Sequence, residues 1–98
     1  MEADFDDDSL RRLEKDPDFT GGYDAGIVKV FRKRMAFIRA ARDERDFRDM
    51  RSLNFEKLKG DRQGQHSMRL NLQWRLILRF EQREGGKVVV VVSITDYH

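Results

Sequence analysis

Ninety-eight residues suffice for one domain, and hydrophobic and charged residues each make up 39% of them, so a small core must lie beneath a densely charged surface. The absence of cysteine excludes disulfides and thiolate metal sites. The acidic start is unlike a signal peptide, and the longest apolar run, residues 88–92, is too short to span a bilayer. We therefore expect a soluble, cytoplasmic protein with a single domain, residues 1–98.

The net charge of +2 is unevenly distributed along the chain. Residues 1–26 hold nine acidic and three basic side chains, a net of −6, whereas residues 27–98 hold nine acidic and 17 basic ones, a net of +8. A basic body suits a polyanionic partner, because neutralising phosphates releases counterions. A solvated charged surface explains the same numbers, so charge alone does not identify a partner.

The chain opens with a predicted strand and helix. Residues 1–5 form a short edge strand, with Phe5 as its apolar anchor. Residues 6–8 are all aspartate and provide a cap and a negative first turn for a helix that starts near Ser9. Pro17 ends that helix.

A longer helix is predicted over about residues 25–42, capped by Asp24. Its apolar residues recur at steps of four, four and three, which indicates one buried stripe, while basic residues cover the remaining surface. Residues 43–52, rich in Asp and Arg, are interpreted as a connection. The stripe consists of Ile27, Phe31, Met35 and Ile38.

From Leu53 onward the apolar residues recur every second position and no longer with the helical period of 3.6, which predicts strands. A turn is expected at residues 60–64 and a hairpin at residues 84–87, where two glycines tolerate positive φ. The valine run of the last strand indicates burial on both faces. The fold class is therefore α+β, with two helices packed on one face of a curved, mainly antiparallel sheet. The strands are predicted at 54–59, 66–71, 74–81 and 88–97.

Alternation along these strands divides the side chains between two faces. Arg69 and Arg75 each lie between apolar residues, so both project from the face opposite the main core. Trp74 shares the face of Leu76, Leu78 and Phe80 and is interpreted as core. His66 falls on the apolar side of its strand and is either structural or solvated. Three further cations are expected to be solvated, with phosphate contact as the alternative: Lys57, Arg62 and Arg79.

The sequence contains no P-loop, zinc-ligand spacing or serine nucleophile elbow, and its two histidines are far apart, so we expect neither a metal nor another cofactor. What remains is a set of polar residues in the strand-rich half that could form a phosphate cradle, since arginine forks match phosphate oxygens. The candidates are Glu56, Lys59, Arg69, Arg75, Asp96, Tyr97 and His98.

These residue types could cleave RNA without a metal, because RNA carries its own nucleophile, the 2′-hydroxyl. Glu56 is a candidate base for the 2′-proton and His98 a candidate acid for the departing 5′-oxygen. Cations would stabilise the charge that builds on the phosphate: Lys59, Arg69 and Arg75. Charged residues on an exposed sheet face are common, so Asp96 could equally be an ion-pair partner, and the last two residues a frayed tail.

Three stretches resemble the HigB-type killer proteins of toxin–antitoxin operons, over about residues 53–98. The first is residues 58–61 followed by Gly64, the second is residues 67–71 with residues 74–76, and the third is residues 96–98. This resemblance to the RelE/ParE toxin superfamily implies a microbial-ribonuclease fold and ribosome-dependent cleavage of mRNA in the A site. It also implies inhibition by a cognate HigA-like helix-turn-helix antitoxin, and we expect the basic body of the protein to contact ribosomal RNA.

The resemblance carries family functional positions onto Lys59, Arg69, Arg75 and residues 96–98. One position departs from it, because many HigB proteins have a histidine where this chain has Glu56. Related YoeB toxins place a glutamate there as general base and a C-terminal histidine as general acid, so the pair resembles theirs on a HigB-like frame. Two alternatives stay open: a ParE-like toxin that poisons DNA gyrase without acid–base residues, and a degenerate toxin that only binds its antitoxin.

Overall fold

The computed structural model describes residues 1–96, which form one five-stranded sheet in the order β1-β5-β4-β3-β2. Within this range β1 and β5 are parallel and the other neighbours antiparallel. The predicted α+β class, with helices on a mainly antiparallel sheet, is confirmed. The helices are α1 (Asp8–Lys15), α2 (Ala25–Ala40) and α3 (Arg45–Asp49), and the strands are β1 (Glu2–Phe5), β2 (Glu56–Lys57), β3 (Gln65–Arg69), β4 (Trp74–Arg83) and β5 (Gly86–Asp96). Single 3-10 turns lie at Arg51–Leu53 and Gly60–Arg62.

Aspartate caps determine where α1 and α2 begin. Asp7 accepts a hydrogen bond from the backbone N–H of Ser9 at 2.8 Å, and Asp24 accepts one from the N–H of Ile27 at 2.9 Å. The apolar stripe of α2 is at most 2% exposed. Each such side chain contributes about 1.5–3 kcal/mol of burial free energy, and this holds α2 against the sheet.

The segment 43–52 is not the plain connection that its composition indicated. It contains α3 and leads into a 3-10 turn that ends at Leu53, and both Phe47 and Leu53 are completely buried. A helix of five residues is too short for a 3.6-residue period to be visible in the sequence, so this prediction was wrong. The ring of Phe47 lies 6.0, 5.5 and 6.4 Å from those of Phe37, Phe55 and Phe80.

The strand predicted over residues 54–59 is also shorter than expected, since β2 contains two residues. Asn54 adopts the left-handed conformation, with φ 47° and ψ 50°, at the end of the first 3-10 turn. Lys59 directly precedes the second. A turn therefore interrupts the extended chain on each side of β2.

The two faces of β4 differ as the alternation predicted. Its even-numbered residues lie on the helix side, where Leu76 and Leu78 are fully buried and Trp74 packs against the core. Its odd-numbered residues lie on the opposite side. We call this side the second face, the side of the sheet that bears Ser67, Arg69, Arg75, Ile77 and Arg79.

The valine run of β5 lies in an interior strand of the sheet. Residues 88–91 are at most 1% exposed, and β5 is hydrogen-bonded to β1 on one side and to β4 on the other. The predicted burial on both faces is confirmed. Within residues 1–96, no helix combines the length and apolar character that crossing a membrane would require.

His66 is a structural residue on the helix side of β3. It is 8% exposed, and its ring stacks on Phe55 with the centroids 5.1 Å apart and an angle of 3° between the planes. Phe80 meets it edge-on, also at 5.1 Å. Burial lowers the pKa of His66, while Glu44 raises it. Three nearby cations lower it further: Lys57, Arg48 and Lys87.

We expect His66→Phe to reduce the dependence of protein stability on pH. The imidazole takes up a proton more readily in the unfolded chain, so the free energy of unfolding falls as the pH drops below the ordinary histidine pKa of 6.5. A phenyl ring keeps the stacking on Phe55 and has no such proton. Urea unfolding at about pH 7.5 and about pH 5.5 measures the difference. An equal pH-dependent loss in both proteins would contradict the expectation.

Candidate active site

A tight turn places Arg69 and Arg75 opposite each other. The side-chain oxygen of Asn71 accepts the backbone N–H groups of Gln73 and Trp74, each at 2.8 Å, and so closes the reversal between β3 and β4. In this register Arg69 is the cross-strand partner of Arg75. Like charges at directly opposed positions destabilise a sheet, so a nearby negative charge would relieve the repulsion between them.

Arg75 is a fixed cation with only 4% of its surface exposed. Its Nε donates a hydrogen bond to the Ser67 hydroxyl at 3.0 Å, and its Nη2 donates one to the backbone carbonyl of Asn54 at 2.6 Å. Both acceptors are uncharged, so they orient the guanidinium without neutralising it.

Glu56 places a carboxylate beside that guanidinium. Its Oε1 lies 3.7 Å from Nη2 of Arg75, which is an ion pair at a longer distance than a direct hydrogen bond. The side chain of Glu56 is 44% exposed, against 5% for that of Arg75. The carboxylate can therefore meet a substrate while it remains next to a fixed cation.

Arg69 lies in a different environment from Arg75. It is half-buried on the second face, and within residues 1–96 no carboxylate lies within ion-pair distance of its guanidinium. Its positive charge is therefore available to an incoming anion. Other exposed cations without an ion pair in residues 1–96 fall into two groups: Lys15, Lys29 and Lys33 in α1 and α2, and Arg51, Lys57, Lys59 and Arg62 in or beside β2.

Other predicted site residues lie elsewhere or outside the described range. Lys59 is exposed and lies three residues beyond Glu56, directly before the second 3-10 turn. Asp96 pairs with Trp74, which places it on the helix side, and accepts a hydrogen bond from the Gln73 amide at 3.1 Å. The structure thus brings together Glu56, Arg69 and Arg75. The predicted residues Tyr97 and His98 lie outside the described residues.

Several residues of this region were missed by reasoning from the sequence. Ser67 and Asn54 hold Arg75, and Thr95 is its cross-strand partner from β5. The hydroxyls of Thr95 and Ser93 lie 2.9 Å apart on the same face. Strand alternation could have found Ser67 and Thr95, because both fall on the face of Arg75, whereas Asn54 contributes a backbone carbonyl and has no side-chain signal.

The far end of the second face carries arginines that are neutralised. Arg79 forms ion pairs with Asp6 and Glu81, and Arg83 forms ion pairs with Asp4 and Glu81. The pKa of Asp4 falls from 3.8 to about 2, chiefly through the backbone N–H of Phe5 and then through Arg11 and Arg83. Asp4 and Asp6 of the N-terminal segment therefore form ion pairs with the arginines at this end.

Two arginines and one carboxylate lie where β3 and β4 meet their turn. Arg75 is held in place, and Arg69 lies opposite it without a carboxylate partner in residues 1–96. The carboxylate of Glu56 lies beside Arg75. Two guanidiniums can hold a phosphate, and an accessible carboxylate can accept a proton. The arrangement is chemically suited to a phosphodiester.

A family model described as the RelE-like toxin of the type II toxin–antitoxin system HigB matches residues 3–98. Among curated protein sequences, none matches this chain. A YoeB/ParE toxin from Agrobacterium tumefaciens has a similar fold, with a TM-score of 0.61, 19% identity and full coverage of both chains. A YoeB–YefM complex from Staphylococcus aureus has the same TM-score, with 17% identity, and the match covers 100% of this chain and 97% of that one. The chain therefore belongs to the HigB-like family of RelE-like toxins from type II toxin–antitoxin systems.

Proposed function

We propose that this toxin is a ribosome-dependent, metal-independent endoribonuclease that cleaves mRNA in the ribosomal A site and so inhibits translation. One observation carries the proposal: Arg69 and Arg75 oppose each other on one sheet face, with the carboxylate of Glu56 3.7 Å from Arg75. A gyrase poison has no need of a carboxylate beside paired guanidiniums. Membership of the HigB-like family supports the same function.

Glu56 is the proposed general base. It accepts the proton of the 2′-hydroxyl, whose oxygen then attacks the adjacent phosphorus and forms a bond to it. The bond between phosphorus and the 5′-oxygen breaks, and that oxygen leaves with a proton from the proposed general acid, His98. The products are a 2′,3′-cyclic phosphate and a 5′-hydroxyl end. The role of His98 rests on the family resemblance alone.

The two arginines are the proposed stabilisers of the transition state. Negative charge builds on the non-bridging phosphate oxygens as the fifth bond forms, and donors that are already oriented stabilise it without further reorganisation. Arg75 is oriented in this way by Ser67 and Asn54. Lys59, Asp96 and Tyr97 are proposed as further site residues on the strength of the family resemblance.

Two kinds of partner follow from this proposal. The family is that of a type II toxin, so an antitoxin is its partner, and we propose a HigA-like helix-turn-helix protein. The exposed cations around β2 would contact ribosomal RNA, while the ribosome orients the mRNA and raises its effective concentration. The proposed site of action is the cytoplasm.

The decisive test is to map mRNA 5′ ends in a translation extract with and without the protein. We expect new ends inside translated codons, and little cleavage of the same mRNA without ribosomes. Intact mRNA together with broken DNA would identify a gyrase poison instead. Intact RNA and DNA with retained antitoxin binding would identify a degenerate toxin.

A further inference from the structure

We infer that Ser67 and the backbone carbonyl of Asn54 are positioning groups for Arg75, and that the left-handed turn at Asn54 is itself a determinant of activity. This inference rests on the proposed function and adds residues to its site. We call these two groups, the Ser67 hydroxyl and the Asn54 carbonyl, the arginine cradle.

The first group of the cradle is a buried hydroxyl. Ser67 has no exposed surface, and its Oγ accepts from Nε of Arg75 at 3.0 Å. It lies on β3, two residues from Arg69, so one strand supplies both the cradle hydroxyl and the opposing arginine. Alanine here would leave Nε of a nearly buried cation without this acceptor.

The second group depends on an unusual backbone conformation. Asn54 has φ 47°, and within residues 1–96 no other residue apart from glycine has a positive φ. Its N–H donates to Arg51 at 3.0 Å, while its carbonyl accepts from Arg75 at 2.6 Å. Asparagine tolerates this region, whereas β-branched residues do not. The side chain of Asn54 is exposed, so its position in the turn depends on the backbone.

Together the two bonds engage the Nε/Nη2 edge of the guanidinium and fix its plane. An arginine side chain loses rotamer entropy when it is ordered. If Arg75 were mobile before the substrate bound, that entropy would be lost during catalysis and would raise the barrier. Both cradle groups are neutral, so they orient the guanidinium without adding a negative charge to it, and an oriented donor is what transition-state stabilisation requires.

The test compares Ser67→Ala, Asn54→Val and Asn54→Gly. We expect the first two to lower the cleavage rate at saturating ribosome concentration by about 10- to 100-fold, with ribosome affinity nearly unchanged. Asn54→Gly should retain the wild-type rate, because glycine adopts the same φ and keeps the carbonyl in place. Thermal unfolding of each variant monitors folding, and if Ser67→Ala does not fold, the two Asn54 variants decide the question.

A double-mutant cycle separates positioning from general stabilisation. In an Arg75→Lys background, Ser67→Ala should cause no further loss of cleavage rate, because the group it orients is already gone. If the two substitutions lower the rate independently, so that the loss in the double mutant is the product of the single losses, the inference is wrong. It is also wrong if Ser67→Ala and Asn54→Val cleave at the wild-type rate while Arg75→Lys is slow. Either result would leave the proposed function intact. A wild-type rate for Arg75→Lys would overturn the proposed role of Arg75 and the inference with it.

Discussion

Glu56→Gln should lower the rate of mRNA cleavage on the ribosome by about 10²- to 10⁴-fold, the usual contribution of a general base. The amide has nearly the same shape but does not accept the 2′-proton. Because the Glu56 side chain is 44% exposed and lies 3.7 Å from Arg75, its charge contributes little to folding. The variant should therefore remain folded and bind ribosomes. The measurement is a single-turnover cleavage assay on programmed ribosomes.

Glu81→Gln is the matched control for this experiment. It makes the same chemical change on the second face, but at the far end of β4, where Glu81 pairs with Arg79 and Arg83. Its cleavage rate should be close to that of the wild type. If Glu56→Gln cleaves as fast as this control, Glu56 is not the base.

Arg69→Gln should lower the cleavage rate by about 10²- to 10³-fold while the free energy of unfolding stays the same or rises. The first effect follows from losing a cation that faces the phosphate. The second follows because Arg69 directly opposes Arg75, so removing its charge relieves a repulsion across the strands. Cleavage kinetics and urea unfolding on the same preparation measure both quantities.

Arg83→Gln controls for the loss of one positive charge on the same face. Arg83 already pairs with Asp4 and Glu81, so this variant should keep its cleavage rate and lose a little stability. Arg69→Gln should therefore lower the cleavage rate without lowering stability, whereas Arg83→Gln should lower stability slightly without lowering the cleavage rate. A large loss of stability with Arg69→Gln would mean that Arg69 is a structural residue and would refute this assignment.

Much of the site was accessible from strand alternation. The period of two put Arg69 and Arg75 on the side away from the core and Trp74 on the core side, and all three lie there. Alternation works here because the even-numbered residues Leu76 and Leu78 pack in the main core, so a shift by one residue would bury the guanidiniums there.

Other features were not accessible because they depend on tertiary contacts. Phe47 is one aromatic residue in a charged segment, and its burial requires rings supplied by α2, β4 and the chain before β2. The Asn54 carbonyl meets Arg75 across 21 positions of sequence, through a turn that no side-chain pattern announces. The near burial of Arg75 follows from those same contacts and could not be anticipated from a strand pattern that placed it on an open face.

The parallel pairing of β1 with β5 has a consequence for biogenesis. Glu2 pairs with Val88 and Phe5 with Val91, so β1 cannot pair until β5, which is synthesised more than 80 residues later, has formed. Closing so long a loop is entropically slow compared with forming the adjacent β3–β4 hairpin. When the nascent chain has emerged from the ribosome only as far as β4, the edge of β4 that pairs with β5 is unpaired, and β1 has no strand to pair with. The toxin therefore acquires its finished architecture only after β5 has left the ribosome that made it.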